Sequence, residues 1–250
     1  MAQSAKLYKR IPILSTLYRH ARAAYADYRL RRKTPEQVFT HIYRRNRWHS
    51  QESVSGLGSE LSQTRTIISA LPKFFHEFGI QSILDIPCGD FAWMKELDWN
   101  RLAIDYIGAD IVSGLIDSNR QRHRFDNVRF KKLDLLQDAL PTVDLILCRD
   151  CLVHFSYENI RSAIDNVIKS NSKYLMMTTF CDRKTNRDIA TGKWRPINLE
   201  RAPFELPPPV MIFKEGCTQD DGAYPDKSLG LWKISDIASK CPDFLLLASA

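Results

Sequence analysis

The sequence predicts an α/β protein, a three-layer α/β/α architecture around a mostly parallel central sheet, with a helical extension at the N-terminus. Three observations carry this. Short apolar runs of strand length recur between residues 82 and 180, and four of them end beside a polar, ligand-type residue. Segments with helical spacing alternate with these runs, as in a parallel sheet joined by crossover helices. The basic residues crowd into the first 50 positions. At 250 residues the chain accommodates one such domain with added segments, and 44% hydrophobic with 26% charged residues is ordinary globular composition.

In chain order, Leu7, Ile11, Leu14, Tyr18, Ala21, Tyr25 and Tyr28 repeat at four, three, four, three spacing, one seam of a helix. Pro12 sits early, where a first helical turn tolerates it. Residues 1–50 hold twelve Lys or Arg against Asp27 and Glu36, a balance of +10 within a chain total of +7, so the other 200 residues carry −3. An arm of that charge suits phosphate, nucleic acid or an anionic membrane surface, and a solvated helix accounts for it equally well. The narrow, tyrosine-rich seam favours docking on its own domain or pairing in a homodimer over peripheral membrane contact. The N-terminus lacks a signal-peptide core and cleavage site, and no run approaches 18 apolar residues. Six cysteines at 88, 148, 151, 181, 217 and 241 show no disulfide-framework spacing, so a cytoplasmic location is expected.

Thr34-Pro35-Glu36-Gln37 is a capping box that opens a short helix burying Val38, Phe39, Ile42 and Tyr43. Trp48 and the hydroxyl-rich run Ser53–Ser59 follow, either a plain connector or a flap over a ligand. Leu61, Ile68, Leu71, Phe75 and Phe78 form a helical seam stopped by Gly79. Ile83, Leu84 and Ile86 then form a buried strand ending at Pro87-Cys88-Gly89-Asp90, with Phe91, Trp93, Met94 and Leu97 predicting a helix start after it. Tyr106–Asp110, Val128–Phe130 with Asp134 just beyond, and Val143–Cys148 are the next strands. Ser156 caps an amphipathic helix, and Tyr174–Phe180 is the fifth strand. From 182 to 230 six prolines replace helical periodicity; Val210–Phe213 and Leu229–Ile234 are the last strand candidates, before a short helix from Ser235 to about Lys240. A long structured insertion of this kind is seldom a passive loop. Its Arg187, Trp194, Arg195 and Asn198 are candidate ligand contacts, the alternative being a cover over a sheet edge.

The series ILDIPCGDF, GAD ending at Asp110, LDLL around Asp134 and LCRDCLVHF resembles the class I S-adenosylmethionine (SAM) dependent methyltransferases over about residues 82–180. SGLGS, WRPINLE and DKSLGLWKI resemble a bacterial branch of that superfamily. The usual G-x-G-x-G of the first loop is here Pro87-Cys88-Gly89-Asp90-Phe91, so one glycine remains. The resemblance implies a Rossmann-like methyltransferase domain over 61–250, with 181–230 a proline-rich substrate cap and 1–60 a basic arm ending in the SGLGS loop. It implies SAM as cofactor and S-adenosylhomocysteine as product. Asp85, Pro87, Cys88, Gly89 and Asp90 would hold the amino acid head, Asp110 and Ile111 the ribose diol, Asp134 and Leu135 the adenine, and Cys148 and Arg149 the loop after the fourth strand. Trp48 joins the substrate contacts.

Methyl transfer needs alignment and, for an oxygen acceptor, removal of a proton. His154 is expected either as that base, oriented by Asp150 four residues earlier, or as a wall of the cofactor site. The preferred acceptor is a small molecule or sugar; a polyanion such as RNA bound through the arm, and a non-catalytic scaffold, are the rivals. Cys148-x-x-Cys151 stands without a second metal-ligand pair, so no metal is expected. Pro87 and Phe91 contradict the G-x-G-x-x-G of a nicotinamide site.

Overall fold

The computed structural model describes residues 12–240; Leu7, Ile11 and Cys241 lie outside the described residues, as does the side chain of Leu14. Seven strands form one sheet in the order β3-β2-β1-β4-β5-β7-β6. The parallel strands are β1 (Ser82–Asp85), β2 (Asp105–Asp110), β3 (Val128–Lys132), β4 (Leu145–Cys148) and β5 (Tyr174–Phe180). β6 (Met211–Lys214) and β7 (Lys227–Lys233) add an antiparallel pair at one edge. β4 and β5 are buried at every position, which is why they read as unbroken apolar runs. The chain runs outward from β1 to β3 and returns beside β1 as β4. That reversal opens a crevice above the carboxyl ends of β1 and β4, where ligands bind in open α/β sheets.

Alternate strand residues feed two cores. Ile83, Leu145, Leu147 and Met176 pack with α3 (Leu61–Glu77) on one face. Leu84, Ile146, Leu175 and Met177 pack with α6 (Tyr157–Lys169) and α8 (Ile234–Lys240) on the other. α3 ends as its sequence indicates: Gly79 N–H reaches His76 O and Ile80 N–H reaches Phe75 O, the paired bonds of a Schellman motif. Ser156 caps α6 through the Asn159 N–H. α5 (Ser113–Arg122) follows β2.

The stretch after β1 departs from expectation. In place of a helix it forms one 3-10 turn, Met94–Glu96, and a single helical turn, α4 (Trp99–Leu102). Phe91, Trp93, Met94, Leu97 and Trp99 are all buried, more apolar surface than one helix stripe can hide. Phe91 takes a left-handed backbone, φ +59, where the resembled motif has its third glycine. Its ring is fully buried against Tyr106, Trp99, His123 and Phe130. Aromatic packing thus offsets a backbone cost of about 1–2 kcal/mol.

At the N-terminus α1 (Pro12–Arg31) is docked by Asp27 to Lys193 and by Arg31 to Asp188. Tyr18, Tyr25 and Tyr28 are exposed, and the ion pairs of α1 come from Asp27 and Arg31. α2 (Pro35–Arg44) carries the predicted capping box and buries Val38 and Ile42. Phe39 lies 5.9 Å from Phe155, and Glu36 pairs with Lys132 at 2.6 Å. Residues 34–60 are therefore built onto the sheet domain. Among the described residues no helix is long and apolar enough to cross a membrane.

Candidate functional site

A cavity of about 370 Å³ occupies the crevice at the strand ends, within the range of small-molecule sites. Its floor comes from the ends of β1, β2 and β4 and the residues beyond β3. Its cover comes from residues 35–59, which connect on top because α2 and the Ser53–Ser59 loop lie across the sheet's carboxyl edge.

Asp85, Asp110 and Asp134, from three successive strands, all line it. Asp85 accepts the Tyr106 hydroxyl at 2.6 Å. Burial pushes its carboxyl up to about 7, against the pull of Tyr106 and Arg149. Asp110 accepts the Val112 N–H on Oδ1 at 2.9 Å, and burial raises its carboxyl to about 6 despite the backbone N–H groups around it. Asp134 accepts the Leu136 N–H and the Gln137 amide; burial raises it as well. Ile111 and Leu135 line the same region, with Pro35, Phe39 and Tyr43 of α2 opposite.

The turn after β1 is held from above. Asp90 spends its carboxylate on the cover: Ser53 Oγ donates at 2.8 Å, Val54 N–H at 2.9 Å and Ser55 Oγ at 3.2 Å. Ser55 Oγ in turn accepts the Asp90 N–H at 3.0 Å. A Cβ at Gly89 would stand 2.1 Å from that hydroxyl, so the approach of the two loops requires glycine there. Pro87, Cys88 and Gly89 line the cavity beside them.

Past β4, Arg149 is buried. Its guanidinium donates to Glu215 Oε2 at 2.7 Å and to the carbonyl of Gly58 at 2.9 Å, tying the cover to the sheet. Asp150 lies in the left-handed region, φ +51, with its N–H bonded to Thr178 Oγ1 at 2.8 Å. Lys227 Nζ donates to Asp150 Oδ2 at 2.7 Å. Burial would raise the Asp150 carboxyl, but Lys227 and Arg149 outweigh it and hold it at about 2. Asp150 does not orient His154, contrary to the expectation from their spacing. Asp150 belongs to the Lys227–Arg149 network, and its backbone is not helical, so the four-residue spacing does not aim it at the imidazole.

His154 is oriented by another group. Its Nδ1 lies 2.9 Å from the Lys193 carbonyl oxygen. A carbonyl can only accept, so Nδ1 carries the proton and the neutral ring keeps its lone pair on Nε2. Burial lowers the His154 pKa, against the Lys193 carbonyl and Asp150, which favours that neutral form. The Trp48 ring packs 5.1 Å from the imidazole, and both line the cavity.

The substrate contacts expected from the insertion divide. Trp194 lines the cavity with Lys193 and Tyr224. Arg187 is exposed and away from it, donating nothing there; its carbonyl accepts from Arg195. Arg195 is fully buried and donates to the carbonyls of Leu152 and Phe155, which brace the turn bearing His154. Asn198 is buried and donates to the carbonyls of Cys181 and Arg183. Cys148 is buried in the core outside the cavity lining, which Cys151 reaches instead. Lys227, Glu215 and Tyr224, which come from the far antiparallel edge, carry no local sequence signal, and neither does the place of Phe39 and Tyr43 in the cavity wall.

No protein-family model and no curated protein sequence matches the chain. Solved structures do. Human N-acetylserotonin methyltransferase in complex with SAM is similar at 15% identity and TM-score 0.54 over 80% of this chain; this chain spans 60% of that one. The N-methyltransferase NodS from Bradyrhizobium japonicum is similar at 19% identity and TM-score 0.51, over 69% of this chain and 96% of its own. PigF with SAH is similar at 13% identity and TM-score 0.50, over 68% and 55%. The chain has the Rossmann-like fold of class I methyltransferases.

Proposed function

We propose that the protein is a SAM-dependent methyltransferase acting on a small-molecule or saccharide acceptor, at oxygen. The observation that carries this is one cavity shared by Asp85, Asp110, Asp134 and His154, whose Nδ1 is paired with the Lys193 carbonyl. The residues fit the cofactor. Asp85 offers a carboxylate to an ammonium group. Asp110, already tied to the Val112 N–H through Oδ1, offers a carboxylate to a ribose diol. Asp134 and the apolar wall of Phe39, Tyr43 and Leu135 suit an adenine edge and face. Bound there, SAM supplies an electrophilic methyl group.

The chain's own residues do the rest. Residues 53–59, latched by Asp90 and Arg149, exclude water above the strand ends. Trp48 and Trp194 flank the acceptor side. His154 accepts the hydroxyl proton on Nε2, with Lys193 O fixing its tautomer, a contribution of about 10²–10⁴ in rate. The test is incubation with methyl-labelled SAM and fractionated cell extract. Label should move to a small-molecule fraction. Label in RNA would replace the acceptor class, and SAM binding without any label transfer would make the protein a non-catalytic scaffold.

A further inference from the structure

Four charged side chains meet at the acceptor side of the cavity. Arg149 and Glu215 lie deepest, 2.7 Å apart, with side chains almost fully buried. Lys227 is nearly as buried, and its Nζ stands 3.4 Å from Glu215 Oε2 and 2.7 Å from Asp150 Oδ2. Asp150 alone keeps 24% of its side chain exposed, and it lines the cavity together with Lys227. The two cations and two anions cancel, so the cluster presents a neutral but strongly dipolar patch.

Asp150 takes a left-handed backbone, φ +51, which aspartate and asparagine adopt more readily than other residues with a side chain. Thr178 locks it through the Asp150 N–H, while the same hydroxyl reaches Asp150 Oδ1 only at 3.4 Å. Oδ1 therefore retains accepting capacity. Lys227 has three N–H donors and two carboxylate neighbours, so one donor remains. The cover comes down onto this pair, since a Cβ on Gly58 would stand 2.8 Å from Asp150 Oδ2. Beside it, Trp194 and Tyr224 meet edge to face at 5.0 Å, with Phe180 completing an aromatic wall, and Trp194 is 39% exposed.

We infer that Asp150 and Lys227 together recognise two neighbouring hydroxyl groups of the acceptor, which is an uncharged ring polyol packed on Trp194. This rests on the methyltransferase reading above. A hydroxyl both donates and accepts, so one can give its proton to the carboxylate while its neighbour accepts from the ammonium. The two protein groups are one hydrogen bond apart, as are oxygens on adjacent ring carbons. The aromatic wall suits the C–H face of such a ring. A charged acceptor would bring an unbalanced charge against a buried cluster whose own charges cancel, and its lost hydration would go uncompensated, which disfavours carboxylates and amines alike.

The test uses full-length protein saturated with S-adenosylhomocysteine and three probes: methyl α-glucopyranoside, glucuronate and glucosamine. Calorimetry first measures S-adenosylhomocysteine binding; its absence sinks the methyltransferase reading, and this inference with it. Saturation-transfer NMR then compares the probes. The neutral glycoside is expected to bind at least tenfold tighter than either charged sugar. Asp150→Asn, a residue type that tolerates the left-handed backbone, should weaken it at least tenfold with unchanged S-adenosylhomocysteine affinity. Trp194→Ala, at the rim, should do the same and guards against a folding defect. With S-adenosylhomocysteine bound, preference for a charged sugar, binding of none of the three, or full glycoside affinity in Asp150→Asn each overturns the proposal.

Discussion

Lowering the pH should release SAM, and Asp85 sets the size of the effect. Its carboxyl is raised to about 7 by burial, and that of Asp110 to about 6. A cationic ammonium binds the ionised form of Asp85. At pH 5.5 the protonated form exceeds the ionised form by roughly 30-fold for a pKa near 7, whereas at pH 8 the ionised form dominates. SAM affinity should therefore fall by roughly 30-fold, about 2 kcal/mol, between pH 8 and 5.5 from Asp85 alone. Asp110 contributes roughly a further fourfold by the same arithmetic. The stability of the ligand-free protein should move the other way. A carboxyl whose folded pKa lies above its unfolded value favours the folded state more as pH falls, here from 7 toward 4. Calorimetric titration with SAM across this range, on wild type and Asp85→Asn, is the assay. Asp85→Asn should bind weakly with the steepest part of the pH dependence gone. Wild-type affinity that is flat from pH 8 to 5.5, or an unchanged profile in Asp85→Asn, would refute the assignment.

His154→Ala should cut turnover by about 10²–10⁴-fold with SAM affinity unchanged in calorimetry, since only the proton acceptor is lost; normal turnover with poor SAM binding would place His154 on the cofactor wall. Asp90→Ala removes the acceptor for Ser53, Val54 and Ser55, so stopped-flow release of SAM should be faster by roughly tenfold, the loss of about 1.5 kcal/mol of charged hydrogen bonding. A chain starting at Thr34 should fold and bind SAM; one starting at Leu61 lacks Phe39, Tyr43, Trp48 and the cover, and should not bind it. Phe91→Gly should still destabilise in chemical denaturation. An aromatic core truncation costs about 3–5 kcal/mol, more than the 1–2 kcal/mol of backbone strain it relieves.

Much of the fold was legible because its signals are local. Each parallel strand is a short apolar run with an acid at or near its end, and Thr34, Ser156 and Gly79 mark helix ends through bonds to residues three to five positions away. Asp85, Asp110 and Asp134 could be placed for the same reason. What the sequence hid depends on long-range geometry. Trp194 and Arg195 are neighbours in an insertion of one character, yet Trp194 faces the cavity while Arg195 is spent on backbone carbonyls of the His154 turn. Asp150 and His154 suggested a helical pair, but the positive φ at Asp150 turns its carboxylate to Lys227, 77 residues away. The buried run from Phe91 to Trp99 has helical spacing at its start, and only the surplus of aromatic residues signals that no single helix could bury it.

SAM is expected to lie between the strand-end acids and the 35–59 cover with its reactive end toward His154. A crystal structure of the S-adenosylhomocysteine complex tests this most directly. The ribose hydroxyls should lie within hydrogen-bond distance of Asp110, the amino group beside Asp85, and the sulfur should face a space bounded by His154 and Trp194. A ligand seated elsewhere, or one whose adenine packs on His154 with the sulfur turned away from it, would rule out this arrangement.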